Sequence, residues 1–343
     1  MLARSRDAGF GPQDRIVVGF SGGRDSLALA AALRWAQCAA GIAPLLVHVD
    51  HRLRRSSGDD ATRAADLARA LDMEFRAVAV AATPTSMHPG VGLEEAARRE
   101  RYRILFETAA HHGAAAVATA HHQGDQAETV LLHLLRGGGV HGAAGMAERS
   151  RAPIPDSRPP QDISPERRDV ETWLWRPLLD EPRAVIDAYV HELGLEPIED
   201  PSNDDTALRR NALRHDVLPA LERLFPGAST ALARYAALAA EDDRALADVA
   251  LAARAAMVDP GGRLAIAPLR TQPMAIQRRV VRCWLAEATS SRTLTAERTD
   301  AVLALAQRGN GGKALEIGEG WTVRRQRGML RAERIGSPHE EDQ

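Results

Sequence analysis

The stretch Ile16-Val17-Val18-Gly19-Phe20-Ser21-Gly22-Gly23-Arg24-Asp25-Ser26-Leu27-Ala28-Leu29 constrains this chain more than any other. A β-branched run leads into a Ser-Gly-Gly turn and then an Ala/Leu-rich segment, which predicts strand, loop and helix with the functional residues in the loop. Glycines there permit backbone conformations closed to other residues and let a ligand approach the chain. The helix after them aims free N–H groups and the positive end of its dipole at that ligand. Such a turn is built to hold phosphate. It is not the common P-loop, because GxxxxGK(S/T) is absent and no lysine stands where it would reach a phosphate. The loop offers instead Ser21, Ser26 and the carboxylate of Asp25, and an acid in a phosphate site makes sense when a Mg²⁺ lies between them.

The following segments place the loop in a parallel sheet. A buried strand Ala43–Asp50, a helix at about 59–71 and a strand Glu74–Val80 complete a βαβαβ rhythm with helices on both faces. Ligands of such sheets sit at the carboxyl ends of the strands. His48 to Arg55 closes the second strand, so it lines the same crevice as the glycine loop; Arg54 and Arg55 also read as a solvated turn. A long helix at about 93–111 carries Arg98, Arg99, Arg101 and Arg103 among acids, the pattern of a salt-bridged exposed face. Arg101 and Tyr102 could instead turn inward, and the sequence does not choose.

A fourth strand, Ala114 to Ala120, runs into His121-His122-Gln123-Gly124-Asp125-Gln126-Ala127-Glu128-Thr129, the second chemical cluster. Asp125 or Gln126 stands near a helix start, where N-capping is an ordinary role. A zinc site would take His121, His122 and Asp125 with His48 or His51, but zinc needs three or four converging ligands and no spacing here demands that. The glycine-rich run 136–146 reads as a mobile loop near the site. The Pro- and charge-rich stretch 150–171 reads as a surface insertion. Beyond it lie Trp173 to Trp175, a helix at 182–193, and Arg209, Arg210, Asn211 and Arg214 at a helix start, suited to phosphate or base contacts. A capped helix with a basic face is the alternative.

These observations predict two domains: a catalytic one over 1–215 and a smaller, mainly helical α+β one over 216–335, with a disordered tail at 336–343. The second comprises helices at 228–256, 273–288 and 294–307, a short strand Arg263–Ala267, and a terminal antiparallel meander whose Arg324, Arg325, Arg327 and Arg331 suit RNA or simply solubility. The net charge of −2 supplies no general attraction to nucleic acid, so RNA would have to be held by local arginine patches. No apolar run approaches the roughly 18 residues of a membrane span, and the first residues lack the apolar core of a secretory signal. A cytoplasmic location is expected. Cys38 and Cys283 form no disulfide framework and no CxxC pair.

SGGRDS after a strand resembles the signature of the PP-loop ATP pyrophosphatases. SGGRDS, HVDHRLR, ERYRIL, TAHHQGDQAET, RGGGVHGAAGM, RPLL, EDPSN and RRNALRHDVLPAL follow one another, over about 15–225, in the order seen in tRNA(Ile)-lysidine synthases. The resemblance implies a Rossmann-like sheet of the adenine-nucleotide α-hydrolase kind. It implies a ligase that adenylates C2 of cytidine 34 in the CAU anticodon of tRNA(Ile), releases pyrophosphate, and lets free L-lysine displace AMP. ATP and Mg²⁺ are the implied cofactors. Ser21, Gly22, Gly23, Arg24, Asp25, Ser26 and His48 would bind ATP, with Asp25 also at the metal. Arg101, His121 and Asp125 would join Asp25 in catalysis, His121 as proton acceptor and Asp125 ordering the lysine ammonium or Mg²⁺. Arg54, Arg209, Arg210, Asn211 and Arg214 would contact tRNA. The sequence leaves a homodimer open. One departure matters: the family pattern HHxDDQ has two acids, and here the first is Gly124. The competing readings are another PP-loop tRNA-modifying enzyme and a catalytically silent RNA-binding homologue. A sulfur-transferring enzyme would want a pair of cysteines that this chain lacks.

Overall fold

Ile16, Val17 and Val18 have no accessible surface, as an apolar run must when its strand is covered on both faces. They form β1 (Arg15–Gly19), the middle of a six-stranded sheet in a computed structural model that describes residues 1–52, 57–88, 90–151, 171–199, 209–289, 295–307 and 314–335. Parallel partners flank β1: β2 (Ala43–Asp50) on one side and β4 (Ala116–Ala118) on the other. The spatial order is β3-β2-β1-β4-β6-β5, with β3 at Glu74–Ala79, β5 at Arg149–Ser150 and β6 at Trp173–Trp175. Only β5 runs antiparallel. Strand order reverses between β1 and β4, which makes the carboxyl ends of those two strands the natural ligand crevice.

The period of two along β1 sorts its side chains between two cores. Ile16 and Val18 join Leu46, Ala116 and Trp175 on one face, covered by α2 (Arg24–Ala40), α3 (Ser57–Ala70) and α8 (Arg183–Leu193). Val17 joins Leu45, Val47, Val117 and Leu174 on the other, beneath Tyr102, Leu105, Phe106 and Ala109 of α5 (Leu93–His112). Each fully buried Leu or Phe in these layers contributes about 1.5–3 kcal/mol.

Three expectations are modified. The fourth strand is only three residues long. Its ladder continues through Ala115 N–H to Arg15 O and Thr119 N–H to Trp175 O, and the chain then turns away toward α6 (Gln123–Leu135). The glycine-rich loop is tied down: it contains α7 (Val140–Ala143), and the Gln126 amide bonds both N–H and C=O of Met146 at 2.8 and 2.9 Å. Arg209 to Leu224 is one helical run with a π-wound turn, Leu213–Val217, between α9 (Arg209–Ala212) and α10 (Leu218–Leu224). Pro219 has no N–H to give the turn before it, a common cause of such irregularity. The insertion at 152–170 and the tail at 336–343 lie outside the described residues.

The chain divides into two compact units, Met1–Ala240 and Glu241–Gln343. The boundary expected at 215/216 lies inside the π-wound turn, and the division falls within α11 (Ala228–Ala255). The second unit has a four-stranded antiparallel sheet, β7-β10-β9-β8 (Leu264–Ala265, Met329–Arg334, Trp321–Gln326, Ala314–Gly318), packed with α13 (Met274–Thr289) and α14 (Ala296–Gln307). Trp284 is buried at its centre with the indole N–H donating to Gly262 O at 2.8 Å. The strand expected at Arg263–Ala267 is confined to Leu264–Ala265; Ile266 opens α12 (Ile266–Arg270), whose first turn accommodates Pro268. Among the described residues no helix is long and apolar enough to cross a membrane.

Candidate active site

The site is built from the two loops that leave β1 and β4. Gly22 adopts φ +78°, and a Cβ on it would lie 2.4 Å from Ile198 Cδ1, so both conformation and packing require glycine. Its carbonyl accepts the Ile198 N–H at 2.9 Å. The hydroxyls lock the turn into a closed circle of hydrogen bonds. Gly23 N–H donates to Ser21 Oγ at 3.2 Å, and Ser26 Oγ donates to Gly23 O at 2.9 Å. That leaves the Ser21 hydroxyl to donate to Ser26 Oγ, 3.1 Å away. Gly23 is the N-cap of α2 and no side chain caps the first turn, so its N–H groups stay available to an anion. His48 supports the turn from below. Its Nδ1 is 3.1 Å from Phe20 O, and because a carbonyl only accepts, Nδ1 carries the hydrogen. Burial holds its pKa below the ordinary value, so the ring is neutral.

The second loop is organised by a capping box. His122 N–H donates to Asp125 Oδ2 at 2.9 Å, and Gly124 N–H donates to His122 Nδ1 at 2.9 Å. Asp125 is buried together with Glu128, one turn further along α6. Both carboxylates receive arginines from the π-wound helix. Arg210 Nε reaches Glu128 Oε2 at 2.7 Å and Arg214 Nε reaches Glu128 Oε1 at 2.6 Å; Arg214 Nη2 lies 2.8 Å from Asp125 Oδ1 and Arg210 Nη2 3.4 Å from it. Burial alone would raise the Asp125 pKa. His122, His121, Arg210 and Arg214 outweigh it and hold the carboxyl at about 2. Across the crevice Asp25 Oδ1 accepts from Arg183 Nη1 at 2.8 Å, and His122 Nε2 stands 3.9 Å from Asp25 Oδ2. Three carboxylates (Asp25, Asp125, Glu128) thus face three guanidiniums (Arg183, Arg210, Arg214).

His121 sits beside this network with Nδ1 2.9 Å from Thr119 Oγ1. Burial, with help from Arg176 and Arg210, pushes its pKa down to about 3 against the pull of Asp125. It is therefore a neutral ring and a much weaker base than its ordinary pKa near 6.5 implied. Arg101 makes no ion pair among the described residues. It is exposed on α5, and its charge helps burial lower the His51 imidazole to about 4.

Arg24 pairs with Asp187 at 3.2 Å. Arg209 is exposed, Arg54 lies outside the described residues, and Asn211 is partly buried. Arg210 and Arg214 turn into the site. Among the described residues no group of three or more His, Cys, Asp or Glu is arranged to hold a metal, so the zinc reading gains no support. Sequence reasoning weighed His122 only as a zinc ligand and gave no role to Glu128 or Arg183. The spacing of Asp125 and Glu128, three apart on one helix face, was an available signal. Arg183 gave none, being 158 positions from its partner Asp25.

Comparison with known proteins is consistent with this geometry. Residues 4–221 match the family model described as a PP-loop domain, and 264–331 match one described as a TilS substrate binding domain. A tRNA(Ile)-lysidine synthase of Deinococcus deserti is 41% identical over 238 residues, 69% of this chain and 39% of its own length. One from Ralstonia nicotianae is 38% identical over 94% of this chain and 65% of its own; one from Salinispora tropica is 39% identical over 92% and 90%. This chain therefore spans under two thirds of the first two relatives and nearly all of the third. Among solved structures, the U34-tRNA thiolase NcsA of Methanococcus maripaludis, with its 4Fe-4S cluster, superposes with a TM-score of 0.54. Its identity is 17%, covering 69% of this chain and 78% of that one, a likeness of fold. The PP-loop match over more than half of the chain and the near end-to-end match to the Salinispora protein establish that this protein belongs to the tRNA(Ile)-lysidine synthase family.

Proposed function

We propose that this protein is an ATP-dependent carbon–nitrogen ligase that joins free L-lysine to C2 of cytidine 34 in the CAU anticodon of tRNA(Ile), changing its codon and amino-acid specificity from methionine to isoleucine. One observation carries the reading. A glycine turn with free helix N–H groups, Asp25 and Asp125 meet at the carboxyl ends of adjacent parallel strands, in a chain 39% identical to a lysidine synthase over nearly the whole of both.

The C2 oxygen of cytidine is a poor leaving group. Its attack on the α-phosphorus of ATP releases pyrophosphate and leaves the oxygen as part of an adenylate. The lysine ε-amine then forms the C2–N bond as the C2–O bond breaks, releasing AMP. Ser21, Gly22, Gly23 and the first turn of α2 receive the departing pyrophosphate. Mg²⁺ accompanying ATP supplies compensation for the pyrophosphate charge. Asp25 fits it, because its Oδ2 makes no hydrogen bond among the described residues and one carboxylate suffices when phosphates provide the other ligands. Asp125, ionised throughout the working pH range, orders the lysine ammonium. The negative charge of bound polyphosphate raises the pKa of His121 and so makes it a competent proton acceptor only in the loaded site. Arg101, uncommitted, turns to the nucleotide or the base.

Arg54, Arg209 and Asn211 are proposed as tRNA contacts; Arg210 and Arg214 act through Asp125 and Glu128. Residues 1–215 form the catalytic domain in this reading and 216–335 the tRNA-binding one, in line with the substrate-binding match at 264–331. The location is cytoplasmic, and a homodimer is compatible with it. The test is incorporation of labelled lysine into an isoleucine tRNA transcript with and without ATP, with uridine at position 34 as control. Label that requires both ATP and cytidine 34 is expected. Pyrophosphate release without label would point to another acceptor amine, and neither signal would point to a silent binding protein.

A further inference from the structure

Gly124 has no conformational reason to be glycine. It lies in the first turn of α6 and is not among the residues with positive φ, and in a helix interior only proline is a poorer choice. What the missing side chain supplies is room. A Cβ there would lie 2.7 Å from His122 Cε1 and 3.1 Å from Nδ1, so the ring could not stay where it is. The ring, 4% exposed, covers the bare Cα. Since its Nδ1 accepts the Gly124 N–H, Nε2 carries the hydrogen. That hydrogen faces Asp125 Oδ2 at 3.6 Å and Asp25 Oδ2 at 3.9 Å. Arg183 Nη1, 3.4 Å away, is itself a donor, so the carboxylates are what draw Nε2–H. Both separations are ones that a bridging water or closure on substrate spans.

We infer that His122, admitted by Gly124, is a positioning residue that links Asp25 on the phosphate loop to Asp125 on the acceptor side and holds the two in one arrangement. Among the described residues no other side chain forms an ion pair with both carboxylates. The purpose of the link rests on the adenylating reaction proposed above; the placement of the ring does not.

The experiment uses the full chain as wild type, Gly124→Ala, His122→Asn and the double variant. Alanine favours the helix and asparagine is a good N-cap, so neither change removes a helix-forming element. The ring is read first, without turnover, by ¹⁵N-histidine spectra. Wild-type His122 is expected with Nδ1 unprotonated and Nε2 protonated, and Gly124→Ala is expected to disturb that signal. In ATP-dependent incorporation of labelled lysine into the tRNA, each single variant is expected to lose between about 10- and 100-fold in kcat, the scale of a misplaced reacting group. The KM for ATP should stay within about twofold, and the double variant should be no worse than His122→Asn alone, because Gly124 acts only through the ring. An unchanged His122 signal in Gly124→Ala overturns the inference, and so does a double loss equal to the product of the single losses. Wild-type protein that releases no pyrophosphate would refute the proposed function instead, leaving the ¹⁵N result to decide the placement.

Discussion

Glu128 anchors the four-residue charge network, with Arg210 and Arg214, that holds Asp125 in place. The perturbation is Glu128→Ala. Its carboxylate is 2% exposed and takes one charge-assisted bond from Arg210 at 2.7 Å and one from Arg214 at 2.6 Å. Removing one partner of a buried pair costs about 3–5 kcal/mol, mostly because the remaining charges stay desolvated. The two guanidiniums are 22% and 34% exposed, so water screens part of that penalty and the lower end, about 3 kcal/mol, is expected. At about 2–4 °C per kcal/mol for a unit of this size, that is a fall of roughly 6–12 °C in Tm. Differential scanning calorimetry reads it, with Arg214→Ala and the double variant beside it. Because the residues touch, the double variant should lose clearly less than the sum of the singles. A Glu128→Ala protein melting within about 2 °C of wild type, or strictly additive losses, would refute the network as a stabilising unit.

Gly22→Ala should abolish pyrophosphate release and raise the Kd for ATP, since a Cβ would stand 2.4 Å from Ile198 Cδ1 on a backbone at φ +78°; equilibrium ATP binding checks it. For His121 the folded pKa of about 3 lies below the unfolded value near 6.5, so the unfolded chain takes up the proton first and stability falls as pH drops through that window. By pH 5 this amounts to about 2 kcal/mol, and urea unfolding at pH 7.5 and 5 should show that component vanish in His121→Gln. Asp125 works lower: depressed to about 2, it stabilises above its ordinary pKa and the contribution is lost between about pH 4 and 2. Arg101→Ala should abolish adenylate formation, whereas Asp125→Ala should retain pyrophosphate release but lose lysine transfer; full activity in either variant removes that residue from the mechanism.

The sequence by itself determined the elements and the first half of the site. The continuous apolar run Ile16 to Val18 and the glycines at 22 and 23 act over a few residues, and their consequences are local: a strand buried on two faces, a turn of positive φ, a helix with free N–H groups. β2 falls at Ala43–Asp50 as its apolar run required. Only the tertiary structure decided which charges meet. Nothing near Asp25 announces Arg183, and the Arg210–Asn211–Arg214 pattern reads as a phosphate-facing surface until the fold buries Glu128 opposite it. The same holds for His121, whose side chain is ordinary in sequence and whose pKa is lowered by burial and by the Arg176 and Arg210 charges that the fold brings to it. Local pattern fixes backbone conformation because backbone preference is short-ranged; these pairings join residues 82 to 158 positions apart, and no periodicity encodes them.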